Sequence, residues 1–375
     1  MTDVCRSSNR LRRVSSALPD FPWDTIADAK AAAAAHPGGI VDLSVGTPVD
    51  PVDPVIRKAL DESSEFPGYP QTVGTRDLRD AAVAALLRRF GVTGLDESSI
   101  LPVIGTKEVI AGLPAQIGVA AGDLVVIPEV AYPTYEVGAL LAGADILRAD
   151  TVDAIGDRDP VLIYLNSPSN PTGRVQGADE LRAIVDWARS RGAVVVSDEC
   201  YLGLTWEGSA YSVLHPDVCG GDHTGLIAVH SLSKVSNLAS YRAGFLAGDR
   251  ELIAELLAVR KHAGMIVPFP IQGATVAALN DDAHVDAQRE RYRARRDKLR
   301  TALLAAGFTI DHSEAGLYLW ATRGEGARVT QRWLADRGIL VAPGDFYGPA
   351  GAQHIRMALT GTDERVDAAV ERLRP

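Results

Sequence analysis

Along this chain, short apolar runs bounded by turn residues alternate with stretches whose apolar positions recur at helical spacing. "TRDLRDAAVAALLRRFG" (75–91) has the helical period and ends on a glycine suited to a C-cap. From residue 100 the alternation becomes regular. "ILPVIG", "DLVVIPE", "DILRAD", "PVLIYLNSP", "AVVVSDECY" and "TGLIAVHSL" read as strands. Helical segments fall between them, opening at Thr106, running through "TYEVGALLAGA", and spanning "ADELRAIVDWARSRG". Near-continuous apolar strands alternating with helices predict right-handed βαβ units and a mainly parallel sheet. After about residue 265 the character changes. A long charged helix (about 282–306) precedes "GFTIDHS", "GLYLWATR", "GILVAPGDFYG" and "HIRMALT", which predicts a separate α/β unit with an antiparallel or mixed sheet. Near the start, "DTIADAKAAAAAH" (24–36) reads as a helix with Asp24 as its N-cap, and "GIVDLSVGTP" (39–48) as a short strand running into a loop.

Composition narrows the class. The 375 residues are 46% hydrophobic with 35 Gly and 21 Pro, a globular balance long enough for two domains. A net charge of −10 argues against a nucleic-acid partner, which calls for a basic face. Cys5, Cys200 and Cys219 are too few and unpatterned for a disulfide framework or a metal site, and they fit a reducing, cytoplasmic setting. No apolar run reaches the roughly 18 residues of a membrane span. "MTDVCRSSNRLRRVSS" lacks an apolar core and is expected to be a disordered tail (1–16), with order beginning near "ALPDFPWDTI".

In open α/β sheets ligands bind beyond the carboxyl ends of the strands, so the residues there carry the chemistry. After "ILPVIG" come Gly105, Thr106 and Lys107, opening a helix. Free N–H groups and a hydroxyl there suit a phosphate, although an ordinary helix start reads the same way. After "LVVIPE" comes Tyr132, able to stack on a flat ring or simply to pack. "SPSNPTG" (167–173) is a turn by composition and places Asn170 at the cleft. Asp198 ends an apolar run, where an unpaired carboxylate is costly. A cap, a salt bridge or a cationic ligand atom would each satisfy it. Tyr201 follows three residues on. Last comes "HSLSKVSNLASYRAG", with Ser231, Ser233, Lys234 and Arg242. Cys200 reads as a small packing residue and His230 as a structural hydrogen-bonder.

Taken together, these groups describe one ligand: a phosphate, a flat ring with a protonated nitrogen and an oxygen substituent, and a carbonyl that an amine can trap. Pyridoxal phosphate has all of these.

"SPSNPTG", "SDECY" and "SLSKVSNLASYRAG" resemble, in order, the three recognisable blocks of the class I/II aminotransferases. Asn170 and Asp198 lie 28 residues apart, and Asp198 and Lys234 lie 36 apart. Within that family, "SALPDFPWDTIADAKA", "IVDLSVGTPVDPV" and "VAPGDFYGPAGAQHIRMALT" look most like the actinobacterial N-succinyldiaminopimelate aminotransferases. The resemblance implies an α/β fold of the fold type I pyridoxal-phosphate transferases. It has a large domain with a mainly parallel seven-stranded sheet sandwiched by helices, plus a smaller α/β domain. The implied division is an N-terminal arm and helix (17–47) belonging with the small domain, a cofactor-binding domain (48–267) and a small domain (268–375). Lys234 is then expected to hold the cofactor's aldehyde, and Asp198 to face the ring nitrogen. Tyr201 and Asn170 would bond the ring oxygen, and Tyr132 would stack on the ring. The phosphate would fall to Gly105, Thr106, Lys107, Ser231, Ser233 and Arg242. Arg356 would bind the substrate α-carboxylate, with Asn170, Tyr132 and the Gly46 loop lining the substrate. Tyr69, in "PGYP", would reach a partner subunit's phosphate, implying a homodimer with shared sites.

On the same footing the expected activity is amino transfer between glutamate and N-succinyl-2-amino-6-oxopimelate, in diaminopimelate and lysine biosynthesis, with no metal. The alternatives are a class I/II aminotransferase for alanine, aspartate or aromatic amino acids, a pyridoxal-phosphate lyase, or a non-catalytic effector-binding protein. No second arginine for a dicarboxylate side chain stands out, which weakens the aspartate reading. Lys107, Arg174 and Arg242 are candidate cations to offset the chain's negative charge, with Lys107 also able to point away from the phosphate turn. In "GLYLW" (316–320), Tyr318 and Trp320 read equally as core or as pocket wall.

Overall fold

A computed structural model describes residues 14–374. The expectation of a disordered tail over 1–16 falls mostly outside these residues; Val14–Ala17 forms one 3-10 turn. The strands are β1 (Val41–Asp42), β2 (Ile100–Ile104), β3 (Leu124–Ile127), β4 (Asp145–Arg148), β5 (Leu162–Asn166), β6 (Val194–Asp198), β7 (Leu226–Ser231), β8 (Ala243–Gly248), β9 (Thr309–Ile310), β10 (Tyr318–Thr322), β11 (Ile339–Leu340), β12 (Ala342–Pro343) and β13 (His354–Ala358).

Seven strands form one sheet in the order β2-β8-β7-β6-β5-β3-β4. All its pairings are parallel except those of β8, which runs antiparallel to both neighbours. Strands β5, β7 and β8 are buried along their whole length, because apolar clusters cover both faces. That accounts for the near-continuous apolar runs in their sequences. β8, "AGFLAG", escaped the sequence reading: its small residues carry no strand signature. The strand needs them, since a Cβ on Gly244 would press on the His230 carbonyl at 2.9 Å.

The second unit is a four-stranded antiparallel sheet, β12-β13-β10-β9, backed by the charged helix Ala283–Ala305 and by Asp363–Arg372. β1 pairs in parallel with β11, and the helix Ala27–Ala34 packs on Ala327–Ala335. Asp24 is not a helix N-cap. It lies inside the 3-10 helix Pro22–Ile26, because Pro22 starts a turn two residues earlier. Thr75 and Gly91 cap the helix Arg76–Phe90 as its sequence predicts: the Thr75 side chain accepts from Leu78 N–H, and Gly91 takes φ 67°.

Candidate active site

The carboxyl ends of β2, β6 and β7 open onto a cavity of about 540 Å³. Its walls include Gly46, Thr106, Lys107, Tyr132, Asn170, Asp198, Tyr201, Ser231, Ser233, Lys234, Arg242 and Arg356. Residues spread over some 310 positions of sequence thus meet in one space. The lining carries four cations (Lys107, Lys234, Arg242, Arg356) and one carboxylate, Asp198. Although the chain is acidic overall, the cavity attracts anions.

At one end, Gly105 precedes the helix Thr106–Gln116 with φ 84° and no side-chain cap, leaving the first N–H groups of that helix free. That φ favours glycine, and a Cβ there would also displace the Arg242 guanidinium. Arg242 itself sits at φ 57°, a left-handed conformation unusual for a side chain of its size, and its Nη1 donates to the Ala239 carbonyl at 2.8 Å. Ser231 and Ser233 lie alongside, with Ser233 N–H donating to Ser231 Oγ at 3.2 Å. Free N–H groups, hydroxyls and a guanidinium together form a cradle that could hold a phosphate. Lys107 does not complete it: its ammonium lies over the Phe21 ring, 5.5 Å from the centroid, on an exposed side chain.

Asp198 is buried at the end of β6. Its Oδ2 accepts from the Tyr135 hydroxyl at 2.8 Å and its Oδ1 from Cys200 N–H at 3.2 Å. Burial raises its pKa, partly opposed by these bonds to Cys200 and Tyr135. A protonated ring nitrogen is the partner that would offset the cost of this buried charge. Tyr135, fully buried and stacked on Tyr164 at 5.0 Å, was not singled out from the sequence. The available signal was its place three residues after Tyr132, which sets both rings on one side of the same turn. Burial pushes the Tyr132 phenol up to about 12, so it remains neutral.

The Lys234 amine reaches the Gly46 carbonyl. Burial lowers its pKa from the ordinary 10.5, and the Arg356 and Arg242 cations push the same way. Tyr201 and Tyr318 bring their hydroxyls within 3.3 Å. Burial drives the Tyr201 phenol well up; for Tyr318 burial also acts upward, but the Arg356 and Lys234 charges outweigh it and leave the phenol below 10.0. Tyr318 therefore belongs to the cavity wall, whereas Trp320 stacks on His354 at 4.9 Å, outside this cavity.

At the far end, Arg356 on β13 is buried. Its Nη1 donates to Asn170 Oδ1 at 3.0 Å and its Nη2 to the Ser44 carbonyl at 2.7 Å, and it rests 3.8 Å from the Tyr318 ring centroid. Phe21 and Trp23, from the N-terminal segment, add walls that the sequence reading had assigned no role.

Two expected residues lie elsewhere. Tyr69 is 96% exposed and sits with Phe66 and Phe269, away from the cavity of its own chain. Arg174 is paired with Glu180 at 2.5 Å and lines a different cleft, so it adds no charge here. His230 is sandwiched between Phe90 and Phe245, with Glu199 at 3.2 Å. Burial raises the Cys200 thiol well above its ordinary value, which leaves it a poor nucleophile. Among the described residues no group of His, Cys, Asp or Glu could hold a metal ion, and no helix is long and apolar enough to cross a membrane. The anion cradle, the flat phenol, the buried carboxylate and the amine of lowered pKa fit pyridoxal phosphate.

Comparison with known proteins points the same way. The family model described as aminotransferase class I and II matches residues 39–373. A probable aminotransferase of Mycobacterium tuberculosis is 68% identical over 96% of this chain and 86% of its own length. The 4-dedimethylamino-4-oxo-anhydrotetracycline transaminase OxyQ of Streptomyces rimosus is 56% identical, covering 95% of this chain and 99% of that one. Among solved structures, N-succinyldiaminopimelate aminotransferase from Mycobacterium tuberculosis superposes with a TM-score of 0.83 at 28% identity, over 93% of this chain and 96% of that chain.

Proposed function

This chain belongs to the class I and II aminotransferases, enzymes that work with pyridoxal 5′-phosphate, and from that premise we propose that it transfers an amino group between glutamate and N-succinyl-2-amino-6-oxopimelate. The observation that carries the amino-transfer reading is the union of Lys234, Asp198, Arg242 and Arg356 in one cavity. The substrate assignment is supported by the likeness to the solved N-succinyldiaminopimelate enzyme and by a cavity rich in cations, which suits two acidic substrates. Cytoplasmic lysine biosynthesis would be the setting.

When bound, the cofactor supplies an electron sink for the pair left at the substrate Cα. The chain supplies the rest. Gly105, Thr106, Ser231, Ser233 and Arg242 would hold the phosphate, and Tyr132 would stack on the ring. Asp198, to which the Tyr135 hydroxyl donates, would keep the ring nitrogen protonated. Tyr201 and Asn170 would bond the ring oxygen. Lys234 would hold the cofactor's aldehyde, and its amine would move the proton at the substrate Cα. A lowered amine pKa keeps the neutral, basic form populated at lower pH. Arg356 grips the α-carboxylate and so orients the Cα–H bond. In a homodimer, the exposed Tyr69 would extend to the partner's phosphate, and the stacked Phe66–Phe269 pair beside it would be covered.

The deciding test is a coupled assay of the purified protein with glutamate against succinylated and acetylated keto acids. Turnover of the succinylated acceptor at kcat/KM well above the others is expected; its absence overturns the substrate. A second reading has its own support. Five aromatic side chains, Phe21, Trp23, Tyr132, Tyr201 and Tyr318, wall the cavity, and OxyQ is named for a polycyclic ketone. A flat polycyclic ketone belongs in the same panel, and preference for it would favour this second reading.

A further inference from the structure

Around Arg356 the structure leaves hydrogen-bond donors without acceptors. Arg356 Nε and Trp23 Nε1 are both buried, and neither has a partner among the described residues. Buried polar atoms in folded proteins are paired in the great majority of cases, so each such atom calls for an explanation. Both residues line the same cavity, and the guanidinium carbon lies 6.0 Å from the Trp23 ring. Both atoms can only donate, since neither an indole N–H nor a guanidinium accepts. The missing group must therefore be an acceptor, and one with two oxygens can serve both donors. The Tyr347 hydroxyl is a third buried, unpartnered group near Arg356, but Tyr347 is not among the residues that wall the cavity.

Trp23 is held in place. Its ring packs on Phe346 at 5.4 Å and on Phe21 at 5.7 Å. Two residues further on, Arg328 donates to the Thr25 carbonyl at 3.2 Å and to Thr25 Oγ1 at 3.1 Å, pinning the 3-10 turn Pro22–Ile26 to the body of the protein. A donor fixed in this way loses little freedom when it binds a ligand.

We infer that Trp23 is a substrate-binding residue whose indole N–H, together with Arg356, holds the α-carboxylate of the amino-acid and keto-acid substrates. The inference rests on the aminotransferase reading of the site. It makes the N-terminal segment part of carboxylate recognition without adding a charge. Arg356 alone supplies the charge; Trp23 restricts the angle from which the carboxylate can enter.

The test uses the cofactor-loaded enzyme and two carboxylates that cannot react, propionate and glutarate, titrated against the cofactor's absorbance band. Trp23→Phe keeps the ring and removes the N–H. It is expected to weaken both ligands by roughly tenfold, the scale of a lost hydrogen bond to a charged group, with the absorbance of the bound cofactor unchanged. Equal affinity in the variant and the unmodified enzyme overturns the inference, as does weakening of glutarate alone, which would place the indole at the side chain. Failure of glutamate and of both carboxylates to perturb the band in the unmodified enzyme would instead sink the aminotransferase reading, and this inference with it. Circular dichroism of Trp23→Phe, matched to that of the unmodified chain, separates lost binding from misfolding.

Discussion

The two ends of the cavity are built differently. The cradle end comes from one sheet: Gly105, Asp198 and Ser231 close β2, β6 and β7 or directly follow them, and Lys234 and Arg242 lie in the loop after β7. The Arg356 end is assembled from remote pieces. Trp23 comes from the N-terminal segment, Ser44 from the loop after β1, Asn170 from the turn after β5, Tyr318 from β10 and Arg356 from β13. One end is a property of a single sheet, which fixes its backbone rigidly. The other depends on how two sheets and a terminal segment meet. On the proposed roles, cofactor chemistry would sit on the stiff element, and substrate choice where small changes in packing can alter it.

If that division holds, damage to the cradle end removes catalysis and damage to the other end changes substrate affinity. The largest effect is expected from Lys234→Ala, which takes away the amine proposed to hold the cofactor and move the proton. Turnover should fall by at least ~10³-fold, the upper part of the range typical of a positioned acid–base group, as measured in a single-turnover assay with glutamate. Asp198→Asn should still bind cofactor but lose most turnover, by about 10²-fold or more; near-normal kcat would remove the ring-nitrogen role. Arg356→Lys replaces a planar fork by a point charge and should raise KM for amino acid and keto acid alike by roughly tenfold. An unchanged KM would erase the contrast between the two ends. Tyr135→Phe tests the contrast more finely. It removes one donor to Asp198 and should lower kcat by about tenfold while leaving KM near its original value.

The smallest effect concerns stability and pH. Because burial lowers the Lys234 pKa below 10.5, the native cofactor-free protein resists protonation that the unfolded chain accepts. The penalty is fully present below the lowered folded pKa and is relieved as pH rises toward the unfolded value. Cofactor-free Lys234→Met should therefore melt slightly higher than the parent at neutral pH, with the gap closing by about pH 10. A gap that widened with pH would contradict the sign of this shift.

Much of the cradle end was legible in the sequence because strand, turn and function coincide there. An apolar run ends, a polar residue follows, and the sheet places all such ends on one edge. Thr106, Asp198, Ser231 and Lys234 could be read one strand at a time, and family likeness added their roles. Tyr135 was missed because a buried tyrosine inside a helix has the same pattern as packing. Lys107 and Arg174 were candidate cations by type, yet one leans on Phe21 and the other pairs with Glu180. A charge in a sequence does not reveal its partner.

Local pattern alone determined most of the strands, β8 excepted, several of the helices, the mainly parallel character of the large sheet and the polar residues at its carboxyl edge. These follow from apolar period and turn residues within a few positions of each other. Tertiary structure alone decided that Trp23, Ser44, Asn170 and Tyr318 surround Arg356, and that two donors there lack an acceptor. Those contacts join positions up to some 330 residues apart, and they exist only once both sheets have buried their apolar faces.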